Sequence, residues 1–120
     1  MLEKIVLAQK LRQLTEFWSP RIIGDVNDCQ VKLARLQGEF VWHAHDLEDE
    51  LFLVIEGRLA IELRDGVVEL GPGEMLIVPR GVEHRPVAAQ ACSVLLFEPA
   101  STLNTGDAPG ERTILRPARL

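Results

Sequence analysis

Residues 38–57, GEFVWHAHDLEDELFLVIEG, decide how the rest of this 120-residue chain is read. His43 and His45 are two apart, so on an extended strand both imidazoles project from one face while Trp42 points away. An acidic turn, Asp46 to Asp49, leads to Glu50, which opens a second run, Leu51 to Ile55, rich in aliphatic and aromatic residues. Two adjacent antiparallel strands bring the two imidazoles and the carboxylate onto one surface, where cross-strand neighbours lie about 5 Å apart. Such a surface is a metal-ligand set. A single histidine on an apolar strand is more often a hydrogen-bonded core residue than a ligand. Here the remaining histidine of the chain, His84, lies in a second ordered stretch, Gly73-Glu-Met-Leu-Ile-Val-Pro79-Arg-Gly81-Val-Glu-His84, so all three histidines fall in two motif-like segments.

The first stretch resembles the first cupin motif: Gly, five residues, His-x-His, three or four residues, Glu, six residues, Gly. His43, His45, Glu50 and Gly57 follow it, whereas four residues, not five, separate Gly38 from His43. The second stretch is similar to the second cupin motif: Gly, five residues, Pro-x-Gly, two residues, His, three residues, Asn. Gly73, Pro79, Gly81 and His84 match, and Ala88 stands where the family has Asn. The resemblance implies a cupin, an all-β double-stranded β-helix of the jelly-roll type with both motifs on hairpins at one mouth of the barrel. It also implies that His43, His45, Glu50 and His84 are the ligands of one metal ion; the Asn that Ala88 replaces is not a ligand in the family.

Composition sets the limits around this reading. A chain of 120 residues suits one domain, here 1–120, with 1–18 as an N-terminal extension and 99–120 as a C-terminal tail. A net charge of −5 and no cluster of Lys and Arg argue against nucleic acid or an anionic membrane as partner. Cys29 and Cys92 form no C-x-x-C and read as buried small hydrophobes. The N-terminus lacks the look of a signal peptide and no apolar run approaches the roughly 20 residues of a membrane span, so a cytoplasmic location is expected.

In chain order, Leu7, Leu11, Leu14 and Trp18 recur at helical spacing and predict a short helix over about 7–15, ending before Ser19-Pro20. Strands are expected at Arg21–Val26, Gln30–Leu36, Phe40–His45, Leu51–Ile55, Arg58–Leu63, Met75–Val78, Val82–Val87 and Ser93–Glu98, separated by turn residues. In the second of these, Val31, Leu33 and Arg35 share one face and Lys32, Ala34 and Leu36 the other. Many short strands without a crossover helix indicate an antiparallel sandwich or barrel even before any resemblance is considered. Parity and proximity place Phe52, Val54, Met75, Ile77 and Phe97 on the walls around the metal. The tail, rich in Pro, Gly, Thr and Asn, reads as a surface loop with a short terminal strand rather than a lid over a pocket.

Three imidazoles and one carboxylate suit a divalent first-row ion, Mn, Fe, Co, Ni, Cu or Zn, and leave positions open for water, substrate or dioxygen. A structural zinc site would be closed and tetrahedral, most often with cysteines. An apolar cavity beside such an ion suits a small organic ligand. Two functions follow from different classes: a metal-dependent enzyme resembling the small cupin dioxygenases and isomerases, or a non-catalytic module that binds a metal or small ligand. Cupins commonly pair, and the apolar N-terminal segment makes a homodimer the expected assembly.

Overall fold

The computed structural model describes residues 2–120. A single turn of helix, α1 (Leu7–Leu11), precedes seven strands: β1 (Arg21–Val26), β2 (Cys29–Glu39), β3 (Glu50–Glu56), β4 (Leu59–Leu63), β5 (Gly66–Leu70), β6 (Met75–Val78) and β7 (His84–Pro99). Every ladder between them is antiparallel. Strand order runs β1-β2-β7-β3-β6, and β4 joins β7 to β5. The 16-residue β7 organises this arrangement. Its C-terminal half lies between β2 and β3, where Phe97 faces both Val31 and Leu51, and its N-terminal half pairs with β4, His84 opposite Leu63. Register slips between Leu36, opposite Cys92, and Gly38, opposite Ala88, so Ala89, Gln90 and Ala91 bulge into solvent as β7 turns from one layer of the jelly roll to the other. The two strands expected at Val82–Val87 and Ser93–Glu98 are therefore one strand carrying a bulge.

Local chemistry accounts for the remaining joints. Asn27 takes the left-handed conformation (φ 53°) that Asn tolerates, closing the β1–β2 hairpin with Val26 paired to Cys29. The Leu11 and Leu14 side chains bury against Ile23 and Leu33 of the chain's own β1–β2 sheet. Helix ends at Leu11 and not at 15, because the next residues form single turns (Gln13 N–H to Lys10 O, 3.0 Å; Leu14 N–H to Leu11 O, 3.1 Å). Trp18 does not continue that face. Its backbone adopts φ 58°, unusual for a bulky side chain, and its ring swings to the opposite side of β2, where it stacks on Phe40 at 4.8 Å and donates Nε1–H to Gln37 O at 2.8 Å. Among the described residues no helix is long and apolar enough to cross a membrane.

Inward and outward faces correct part of the expected cavity wall. Phe52 and Val54 are buried, as anticipated. Met75 and Ile77 are about half exposed (51% and 52%), and Phe97 shares their outer face through the row Val31, Phe97, Leu51, Ile77. Leu76 and Val78 turn inward instead, since Phe52 pairs with Leu76 and Glu50 with Val78. Cys92 is buried as a small hydrophobe, with burial pushing its thiol up to about 11, whereas Cys29 is only half-buried.

Candidate metal centre

The segment Phe40–His45, expected as a strand, leaves the β2 ladder at Glu39 and meets β7 through Phe40 N–H to Pro86 O at 3.0 Å and an isolated bridge between His43 and His84. His43 and His84 exchange both backbone hydrogen bonds (His43 N–H to His84 O, 3.1 Å; His84 N–H to His43 O, 2.9 Å), and Gly81 N–H donates to His45 O at 2.8 Å. Ala44, pointing the other way, bonds to the tail: its N–H donates to Asp107 Oδ1 at 2.8 Å and its carbonyl accepts Asp107 N–H at 3.0 Å. Extended backbone with both edges satisfied is what puts His43 and His45 on one side.

The four side chains named by the motifs converge. His43, His45, Glu50 and His84 are all buried, and their donor atoms lie within 4.8 Å of one another. Ring centroids are 4.3 Å apart for His43 and His84, 4.9 Å for His43 and His45, and 5.7 Å for His45 and His84. His43 Nδ1 and His84 Nδ1 each lie 2.9 Å from a carbonyl, Val41 O and Val82 O. A carbonyl only accepts, so both Nδ1 atoms carry the proton and both Nε2 atoms present a lone pair.

That tautomer creates a specific electrostatic situation. Glu50 Oε1 sits 3.3 Å from His84 Nε2 and 3.2 Å from His45 Nε2. Two lone pairs face each other at His84 unless a proton or a cation lies between them. His45, whose Nδ1 and Nε2 are both buried without a properly directed hydrogen bond, has no other partner to satisfy it. Two donors sharing one ion at about 2.1 Å stand roughly 3.0–3.4 Å apart, the separation found here. The donor set therefore fits a metal ion.

Electrostatics favour a neutral His43 and an ionised Glu50. Burial, reinforced by His84 alongside, lowers the His43 pKa to about 4. Burial opposes ionisation of Glu50, and a proton or positive charge at the facing His45 and His84 nitrogens outweighs it and holds the carboxyl well below its usual range. Deprotonated ligands are what metal binding requires.

A cavity of about 40 Å³ opens beside His43 and Glu50, walled by Trp18, Phe40, Phe52 and Leu96. Residues that sequence reasoning had not assigned to it also line it. Lys32 and Glu98, 2% and 3% exposed, form a buried pair at 2.9 Å, and Thr102, Asn104, Ile114 and Pro117 come from the tail. The alternation that put Lys32 with Ala34 and Leu36 was the available signal for Lys32; even parity with His84 was the signal for Leu96 and Glu98. Nothing local marks Asp107 or Thr102. The tail is thus more than a surface loop. It lines the cavity through Thr102, Asn104, Ile114 and Pro117 before ending in a short parallel contact with β1, Ile22 N–H to Ala118 O and Leu120 N–H to Ile22 O, both 2.9 Å.

The spacing and the fold meet in one comparison: the pattern of the cupin domain matches residues 31–98, more than half of the chain. The chain belongs to the cupin family. Among solved cupins, a cupin-2 domain protein from Shewanella frigidimarina is 45% identical, with a TM-score of 0.78 over 79% of this chain and 93% of its own. A protein from Neisseria meningitidis is 36% identical, with a TM-score of 0.75 over 82% of this chain and all of its own. An uncharacterized Bacillus subtilis protein, YdbB, is 44% identical over 64 residues, which make up 52% of this chain; the chain spans 57% of that curated relative's length.

Proposed function

We propose that His43, His45, Glu50 and His84 ligate one divalent first-row transition ion, drawn from Mn, Fe, Co, Ni, Cu and Zn, and that this cupin is a metal-dependent enzyme acting on a small organic molecule in a dioxygenase- or isomerase-like reaction. The observation that carries the reading is the facing of Glu50 Oε1 and the unprotonated His84 Nε2 at 3.3 Å inside a buried pocket that opens into a cavity. An ion held there would supply Lewis acidity and coordination positions beyond the four protein donors.

The chain's own residues do the rest. Val41 O and Val82 O fix two imidazole tautomers by accepting Nδ1–H, which orients the lone pairs and keeps the rings from turning. Trp18, Phe40, Phe52 and Leu96 exclude water from the cavity and so strengthen every charge interaction inside it. The tail residues Thr102, Asn104 and Ile114 supply one wall of the cavity that would hold the small molecule.

The test is to purify the protein without added metal, measure its metal content, reload the apo-protein with each of the six ions, and screen catechols, thiols, keto acids and sugar phosphates with dioxygen uptake recorded. Turnover with one ion that vanishes in His84→Ala supports an enzyme. Stoichiometric metal with no turnover across the panel points to the non-catalytic binding module instead.

A further inference from the structure

The centre does not account for the buried pair beside it. Lys32 on β2 and Glu98 on β7 both face the cavity, and in register Glu98 stands opposite Glu50 on β3, because Leu51 pairs with Phe97. Cross-strand neighbours of this kind lie about 5 Å apart, so the pair sits immediately next to the metal ligands. Its bonding is incomplete. Lys32 Nζ donates to Glu98 Oε1 at 2.9 Å, which uses one of its N–H bonds, while Glu98 Oε2 is buried, receives no N–H donor, and belongs to a carboxyl that lies against Glu50. Thr102 Oγ1, brought in by the tail and 7% exposed as a residue, is likewise buried without a partner. Two buried oxygens without a donor and an amine with spare N–H bonds on the wall of one small cavity are costly unless something completes them.

A hydrophobic strand partner would be as stable at these positions as a buried ion pair, or more so, so stability does not explain the pair. A ligand hydroxyl would satisfy it. Such a group accepts a hydrogen bond from Lys32 or Thr102 and donates one to Glu98 Oε2, which a carbonyl, an ether or a methyl group does not do. We infer that Lys32, Glu98 and Thr102 form a hydroxyl-binding subsite next to the metal centre, and that the ligand is a compact oxygenated molecule with a hydroxyl a few bonds from the oxygen that meets the metal. The inference rests on the reading of the four-residue centre given above. The cavity volume of about 40 Å³ limits the ligand to a compact molecule.

The two halves of the ligand can be probed with a matched pair, 3-hydroxypropionate and propionate, which share a carboxylate for the metal and differ in the distal hydroxyl. Cobalt-loaded protein is titrated with each by calorimetry, and metal content is measured on the same samples. The expected result is a preference for 3-hydroxypropionate of at least about tenfold. That preference should fall below about threefold in Glu98→Gln and in Thr102→Val, the second variant guarding against any disturbance of Glu50 by the first. Equal affinities in the unaltered protein, or a preference that survives in both variants, overturns the subsite while leaving the metal centre standing. Failure of the unaltered protein to retain cobalt overturns the centre and the subsite together.

Discussion

At the scale of single residues, the site is governed by which nitrogen holds a proton. His43 is buried, donates Nδ1–H to Val41 O, and has its pKa lowered to about 4 by burial and by His84. A histidine whose pKa is lower in the fold than in the unfolded chain binds fewer protons when folded, so stability is present above about pH 6.5 and is lost as pH falls toward 4. For His43 the loss is on the order of 3 kcal/mol across that window. Glu50, held low by the facing His45 and His84 rings against the opposing effect of burial, adds a loss in the same direction at still lower pH. Glu98 acts in the opposite sense, because burial and the nearby Glu50 raise its pKa and its contribution declines as pH rises. Urea unfolding of metal-free Glu98→Gln at pH 7 and pH 4.5 should therefore show the acid loss without that offset; a flat profile would contradict the assignment of His43 as a buried neutral ring. With metal bound, protons compete for the same lone pairs, and the melting temperatures of loaded and metal-free protein should converge near pH 5.

At the scale of elements, the tail is the structural partner of the His-x-His segment. Gly106, at φ 52°, packs so closely that an added Cβ would collide with Ala44 O and approach His45 Nδ1 at 3.1 Å. Gly106→Ala should destabilise the fold by about 1–3 kcal/mol and weaken metal binding by disturbing His45. Asp107→Ala leaves Ala44 N–H unpaired and should cost about 1–2 kcal/mol with a smaller effect on the metal; denaturant titration and metal affinity measured together separate the two. Arg112 fastens the same element, donating Nη1–H to Glu39 O at 2.7 Å and lying 5.7 Å from the centroids of both Trp18 and Phe40. None of this was legible in the sequence. His43, His45, Glu50 and His84 were, because their geometry is set by spacing within two short segments. Lys32, Glu98 and Thr102 come together, and Asp107 reaches Ala44, only through pairing of distant strands and the return of the tail. Met75, Ile77 and Phe97 were placed on the wrong face because their strands are apolar on both sides, and alternation assigns a face only where one side is polar.

At the scale of the whole molecule, Leu11 and Leu14 are buried against their own sheet, while Leu2, Ile5 and Phe17 of the N-terminal segment stay exposed. The outer row of Phe97, Leu51 and Ile77, with Met75 nearby and half exposed, is a second apolar face, and we propose that a second copy pairs there. Light scattering should give about twice 13.4 kDa, and Ile77→Lys should shift it to the monomer mass without changing metal content. The claim on which everything else depends is that four buried side chains hold one ion. Metal content after exhaustive dialysis, compared between the unaltered protein and His84→Ala with far-UV dichroism as the control for folding, tests it most directly. The account predicts one equivalent in the former and none in the latter at equal β content. Equal metal in both, or none in the unaltered protein after exposure to Mn, Fe, Co, Ni, Cu and Zn in turn, would contradict it.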